Sequence, residues 1–344
     1  MKKIIIGLIL LGIIHVPSIF AGKEKTGEAG FMFLKIPVSA REVSMGMTGL
    51  TSSYGANALF WNPATISNYD GISVSFTHLN HFAGITSEYF AMSIPVSEIG
   101  TFAAGINYLS YGDIEVTTQD RPQGTGVLYS PSDMSVNFGF SKQITDRVSG
   151  GVVVKYIYSR IDQVDASGFA FDFGFTYLTN FRNLKLGFVM SNIGGQSKYD
   201  GDGLIREVPA DQWGSANSAY LRYGSEPFEM PASVTFGLSM DVFRDEQHSM
   251  VYTLEQNVNN FQANRTNFGL EYGFKDMLFL RGGYTSAFDS KSDFTTNNNK
   301  LGGLTLGTGI AYTFGERSKV LLDYCYFNQG ILSATHRFTI GLNF

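Results

Sequence analysis

Few side chains in this 344-residue sequence have the type and spacing that chemistry needs. His78 and His81, in THLNH, are spaced like a metal pair on a helix, but the stretch Ile72–Leu79 alternates as a strand running into a loop. No third ligand stands near them, and a metal site needs three or four that converge. A hydrolase would pair a nucleophile with a base. No G-x-S-x-G elbow occurs, and His336 sits beside Arg337 with no evident nucleophile. The glycines of GGLTLG (Gly302–Gly307) keep a strand period and do not open a helix, so a phosphate cradle is not expected. A single cysteine, Cys325, excludes a disulfide framework. The expectation is a protein that is not an enzyme and has no cofactor or metal.

What remains is a set of charges inside otherwise apolar, alternating segments: Lys155, Asp172, Glu255, Glu271, Arg281, Asp323 and Arg337. All are expected on the face opposite the bulky apolar residues. A turn at Lys275 would bring Glu271 near Arg281, and a tight hairpin over Asn328–Leu332 would set Asp323 opposite or diagonal to Arg337. Cross-strand pairs of this kind contribute ~0.2–1 kcal/mol and fix register. Their mixed signs argue against a strongly ion-selective pore. A self-neutralising ladder is the simpler reading, ahead of a transport or binding role.

The elements that position these charges follow from composition and period. Charged residues are only 16% of the chain and aromatics reach 14%, with 29 Phe and 18 Tyr; an average soluble protein carries roughly 25% charge. Such a chain covers a surface facing lipid more easily than one facing water. The net charge of −5 offers no basic footprint for nucleic acid. Residues 1–21 read as a cleaved signal peptide, with Lys2 and Lys3 ahead of an apolar run too short to span a bilayer. Fourteen alternating segments then run from Ile72 to Phe344. Phe169, Phe171, Phe173, Phe175 and Tyr177 share one face of theirs; Ala170, Asp172, Gly174 and Thr176 share the other. Short connections fall on the even joints and the long ones (Ser110–Ser132, Ile193–Pro231, Ala287–Gly303) on odd joints, as in outer-membrane barrels. The fold class is therefore all-β: a 14-stranded antiparallel transmembrane β-barrel over residues 71–344, in the bacterial outer membrane.

Residues 22–70 precede the strands. Within them Gly30–Ile66 is apolar and largely uncharged, and it carries the turn signal Asn62-Pro63. Such a segment finds its nearest shelter in the barrel lumen, so it is expected to be a plug or hatch. Phe60 and Trp61 would pack inside, and Arg41 would meet a lumen carboxylate. The long loop from Ser197 to Pro231 carries Tyr199, Trp213, Tyr220, Tyr223 and Phe228; it either recognises a partner or folds as a solvated lid. The last strand places Phe338, Ile340, Leu342 and Phe344 at period two, like the C-terminal signal read by the outer-membrane insertion machinery.

The stretch F-L-K-I-P, then A-R-x-x-x-M-G with Arg41, Met45 and Gly46, then A-L-F-W-N-P-A with Phe60, Trp61, Asn62 and Pro63, resembles the PorV/PorQ family, relatives of the FadL transporters. YGDIEVTT (Tyr111–Thr118), SGFAFDFG (Ser167–Gly174), FLRGGY (Phe279–Tyr284) and HRFTIGLNF extend the likeness along the mature chain. Thr65 departs from the family's usual glycine, and Ser52-Ser53-Tyr54-Gly55 from its usual acidic residues. The resemblance implies a barrel with an N-terminal hatch that serves type IX secretion, receiving cargo by its C-terminal domain and passing it to surface-attachment machinery. Its partners would be outer-membrane lipid, the insertion machinery, secreted cargo proteins and other secretion components. The alternative it implies is a FadL-like conduit for hydrophobic ligands.

Overall fold

A computed structural model describes residues 27–208, 219–287, 302–314 and 318–344. The signal-peptide reading, Trp213, and most of the connection after Ala287 lie outside the described residues. Among those described, fourteen antiparallel strands close a barrel. They are β1 (Ser73–Asn80), β2 (Thr86–Val96), β3 (Gly100–Ser110), β4 (Ser132–Thr145), β5 (Val148–Ile161), β6 (Val164–Leu178) and β7 (Lys185–Gly194). After the long loop come β8 (Ser233–Arg244), β9 (His248–Asn259), β10 (Arg265–Phe274), β11 (Leu278–Ala287), β12 (Leu304–Phe314), β13 (Ser318–Asn328) and β14 (Ala334–Asn343). Each strand pairs with its chain neighbour, and β1 pairs with β14 from Ser73↔Asn343 to Asn80↔His336, which closes the sheet and removes its edges. No described helix is long and apolar enough to cross a membrane; the crossing is made by strands.

The period-two pattern sets the two surfaces. Phe169 is 58% exposed on the outer face while Asp172, three residues on, is 1% exposed inside. The outer face is the one that lipid would cover, and the inner face carries Ser, Thr, Asn, Gly and the charged residues. All seven mid-strand charges lie buried on that inner face. The turns at 97–99, 146–147 and 275–277 are short, whereas 111–131 and 195–232 are long and carry small two-stranded additions (Ile114–Glu115 with Leu128–Tyr129, and Ile205–Val208 with Ala219–Arg222). The long-loop end is extracellular by the usual asymmetry of such barrels.

The N-terminal segment lies within this cylinder. A 3-10 turn at Met32–Lys35 leads to α1 (Ala40–Ser44), then α2 (Gly55–Trp61) and a second 3-10 turn at Pro63–Asn68. Asn62 caps that last turn: its side-chain oxygen accepts the Ala64 N–H at 3.0 Å, with Pro63 at the first position where a missing N–H costs nothing. α1 packs against β11–β14, α2 against β1–β4, and the Pro63–Asn68 turn against β3–β6. The inward glycines make the room. A Cβ on Gly151 would lie 2.4 Å from the Pro63 carbonyl, and one on Gly174 would overlap the Asn62 side chain.

Candidate functional site

Three groups of residues inside or above the barrel have the chemistry of a site. The first is a chain of alternating charges. Arg41 of α1 donates through Nε and Nη2 to both oxygens of Glu271 on β10, at 2.9 and 2.8 Å. Glu271 also accepts from Arg281 Nε at 2.6 Å, its partner directly across the β10–β11 ladder. Arg281 then donates Nη1 to Asp323 on β13 at 2.6 Å, two strands away. Gly309 of β12 is what lets it cross: a Cβ there would lie 2.3 Å from Asp323 Oδ1. Arg337 faces Cys325 across the ladder and so lies diagonal to Asp323. The expected pairing of those two is replaced, because Arg281 reaches Asp323 first through the Gly309 gap. Arg337 instead donates to the Pro37 carbonyl at 3.3 Å, joining β14 to the N-terminal segment. Lys155 pairs with Asp172 at 2.7 Å and donates to Asn192, the residue at a bulge where β7 slips against β6.

The N-terminal segment is held to the wall by further polar bonds. Ala40 N–H donates to Thr339 at 2.8 Å and Gly46 N–H to Thr305 at 2.9 Å. Gly46 combines a φ of 72° with a contact in which a Cβ would lie 2.3 Å from the Phe268 carbonyl, so no other residue fits. Met45 is fully buried beside it. On the far side, Leu50 N–H donates to Glu255 at 2.7 Å, Thr48 bonds Thr253 at 2.6 Å, and Asn267 donates to the Met47 carbonyl at 3.2 Å. Trp61, half-buried, donates its indole N–H to Ser39 at 3.1 Å and meets Phe60 edge to face.

The second group is a cavity of about 110 Å³ on the extracellular side of this segment. It is lined by Leu34, Phe60 and Trp61, by Lys35 and Arg265, and by a run of amides from β7, β9 and β10. Burial, with Arg265 and Lys155 close by and Asp172 opposing them, lowers the Lys35 amine to about 7. Part of this lining was legible in principle: the carboxylate of Glu255 and the amides of Asn257 and Asn259 stand at period two in EQNVN, so one inward face had to carry all three.

The third group is the long loop. Tyr199 and Phe228 turn inward: Phe228 stacks edge to face on Phe31 at 5.0 Å and lies 5.5 Å from Tyr199, whose hydroxyl bonds Ser159. Tyr220 and Tyr223 point out, 72% and 54% exposed. Of the two histidines in THLNH, His78 meets Glu88 at 2.6 Å on the outer face, whereas His81 lies tilted against Phe82, ring centroids 4.3 Å apart, and is held down at about 4 by burial beside Arg337. At the C-terminus Phe338, Ile340 and Phe344 are exposed on the outer face and Leu342 is half-buried.

This closed barrel with its filled lumen matches a family model described as type IX secretion system protein PorV, over residues 21–257. The chain belongs to the PorV family. No curated protein matches it. Among solved structures it is similar to the Pseudomonas putida toluene transporter TodX, with a TM-score of 0.54 and 16% identity over 93% of this chain and 98% of that one. The Ralstonia pickettii toluene transporter TbuX gives 0.54 and 14% over 89% and 97%. A Pseudomonas aeruginosa FadL homologue gives 0.51 and 13% over 89% and 98%. At these identities the likeness is one of fold. This PorV-family chain is thus an outer-membrane β-barrel of FadL-like architecture.

Proposed function

We propose that this barrel takes part in type IX protein secretion without catalysing a reaction, and that its extracellular loops hold secreted cargo. The signal peptide delivers it across the inner membrane, the insertion machinery reads its last strand, and residues 22–70 act as a hatch that keeps the lumen shut. The observation that supports a docking barrel over a conduit is the lining of the lumen. Amides and cations are part of the lining of the cavity beneath the loops, and the space below it is occupied by a segment hydrogen-bonded to the wall. A greasy molecule passing there would strip those polar groups of water at about 1–3 kcal/mol for each one left unpaired. Tyr220 and Tyr223 supply exposed aromatic surface above, the kind that anchors protein partners.

The test is a pull-down of the tagged protein from its own outer membranes in mild detergent, with mass spectrometry of what accompanies it. Secreted proteins sharing one kind of C-terminal domain are expected, and they should be lost when Tyr220 and Tyr223 are both changed to Ala. Recovery of only insertion machinery and a bound hydrophobic compound would instead assign this chain the role of the toluene transporters it is similar to.

A further inference from the structure

The cavity above the N-terminal segment carries more recognition chemistry than a docking barrel uses. Its lining holds three cations, Lys35, Lys155 and Arg265, against one carboxylate, Glu255. Lys155 is paired with Asp172, and Glu255 accepts the Leu50 N–H. Lys35 has no hydrogen-bond or ion-pair partner among the described residues. Asn259, 3% exposed, keeps a buried side-chain oxygen with no partner. The same space is lined by further amides, Asn257, Asn267 and Gln262, and by Trp61; Asn257 also donates to Thr235, and Asn267 to the Met47 carbonyl.

We propose that this cavity binds a small acidic sugar, with its ring against Trp61, its hydroxyls on the amides and its carboxylate toward Lys35. Each part of the lining selects for that class. Amides offer donors and acceptors together, which matches hydroxyl groups, and an aromatic face suits the C–H side of a sugar ring. The Lys35 amine, without a partner among the described residues, calls for one negative charge. A fatty acyl chain would leave the Asn259 oxygen and the Lys35 amine without a partner, and an inorganic anion would leave Trp61 and that oxygen unused.

The experiment uses the full chain in detergent with Trp213→Phe, so that the remaining indole, Trp61, reports the cavity by fluorescence. Glucuronate should quench it saturably, and glucose, acetate and laurate should each bind at least about tenfold more weakly. Lys35→Gln should weaken glucuronate about tenfold or more, the share expected of one charged hydrogen bond, and leave the weak glucose signal unchanged. Lys35→Arg should retain binding. Asn259→Asp, which sets a negative charge beside the site, should weaken glucuronate in a barrel whose heat-modifiability is that of the parent. Laurate binding as tightly as glucuronate, no saturation by about 10 mM, or full affinity in both Lys35→Gln and Asn259→Asp would overturn the proposal. Cargo capture is a separate readout, so a barrel that binds cargo and ignores glucuronate sinks only this inference.

Discussion

At the scale of single residues, the run Arg41–Glu271–Arg281–Asp323 shows how a buried charge is made tolerable. Glu271 is satisfied by two guanidinium groups, and each guanidinium finds a carboxylate. Removing one member strands its neighbours, at about 3–5 kcal/mol for an uncompensated buried charge. Glu271→Gln should therefore lower the temperature at which the folded band disappears in heat-modifiability gels, and Gly309→Ala should do the same by crowding Arg281 and Asp323 apart. A Gly309→Ala barrel as heat-stable as the parent would show that Arg281 reaches Asp323 without needing that gap. Lys35 gives a second residue-scale expectation. Its amine, lowered to about 7 by burial and by Arg265 and Lys155, with Asp172 opposing, is neutral and nucleophilic above that pH. Acylation of Lys35, followed by peptide mapping, should have its midpoint near pH 7, whereas exposed lysines keep accelerating toward ~10.4. A midpoint near that of the exposed lysines would show a solvated amine. The ion chain was half legible in sequence. The Glu271–Arg281 pair follows from one turn and strict alternation, but Asp323 is served from two strands away, and that depends on the absence of a side chain at Gly309.

Elements carry most of what the sequence reading could foresee, because period two is imposed by the backbone and lipid punishes any error in it. Each of the fourteen segments expected between Ile72 and Phe344 has its strand, with ends differing by a few residues where a bulge (Gln143/Thr145, Asp241/Phe243) prolongs the pairing. The long loop was not legible in the same way, since no period says which aromatic faces in. The structure divides it into anchors, Tyr199 and Phe228, and exposed tyrosines. Phe228→Ala should free the loop: an aromatic pair contributes about 0.5–1.5 kcal/mol beyond its buried area. Limited proteolysis should then cut between Ser197 and Pro231 faster, with barrel heat-modifiability unchanged. Equal cleavage rates would mean that the loop is tethered elsewhere. Trp61→Ala acts on the N-terminal element instead, opening space over Gly49, where a Cβ would lie 2.3 Å from the indole. Cells carrying it should become more sensitive to large antibiotics, and unchanged permeability would remove the hatch reading.

The whole molecule adds an asymmetry that neither residues nor elements reveal alone. The helices and turns of the N-terminal segment are laid against β11–β14 and β1–β6. The β9–β10 wall is met by the stretch Met47–Leu50, through its bonds to Thr253, Glu255 and Asn267. Above that stretch lies the cavity lined by Lys35 and Glu255; below it lies a second space of about 350 Å³, lined by Arg41, Thr51, Lys185 and Arg244. Two polar spaces separated by three hydrogen bonds would form a water path if those bonds were released. Cationic side chains outnumber anionic ones along both linings, so the path would favour anions. Glu255→Ala removes the acceptor of the Leu50 N–H, whereas Glu255→Gln keeps one. In planar bilayers the Ala variant should conduct more than the parent, with a preference for chloride over potassium, and the Gln variant should stay near the parent. If Glu255→Ala conducts no more than the parent, the seal does not depend on that bond, and the barrel is closed by the helices packed on the opposite wall.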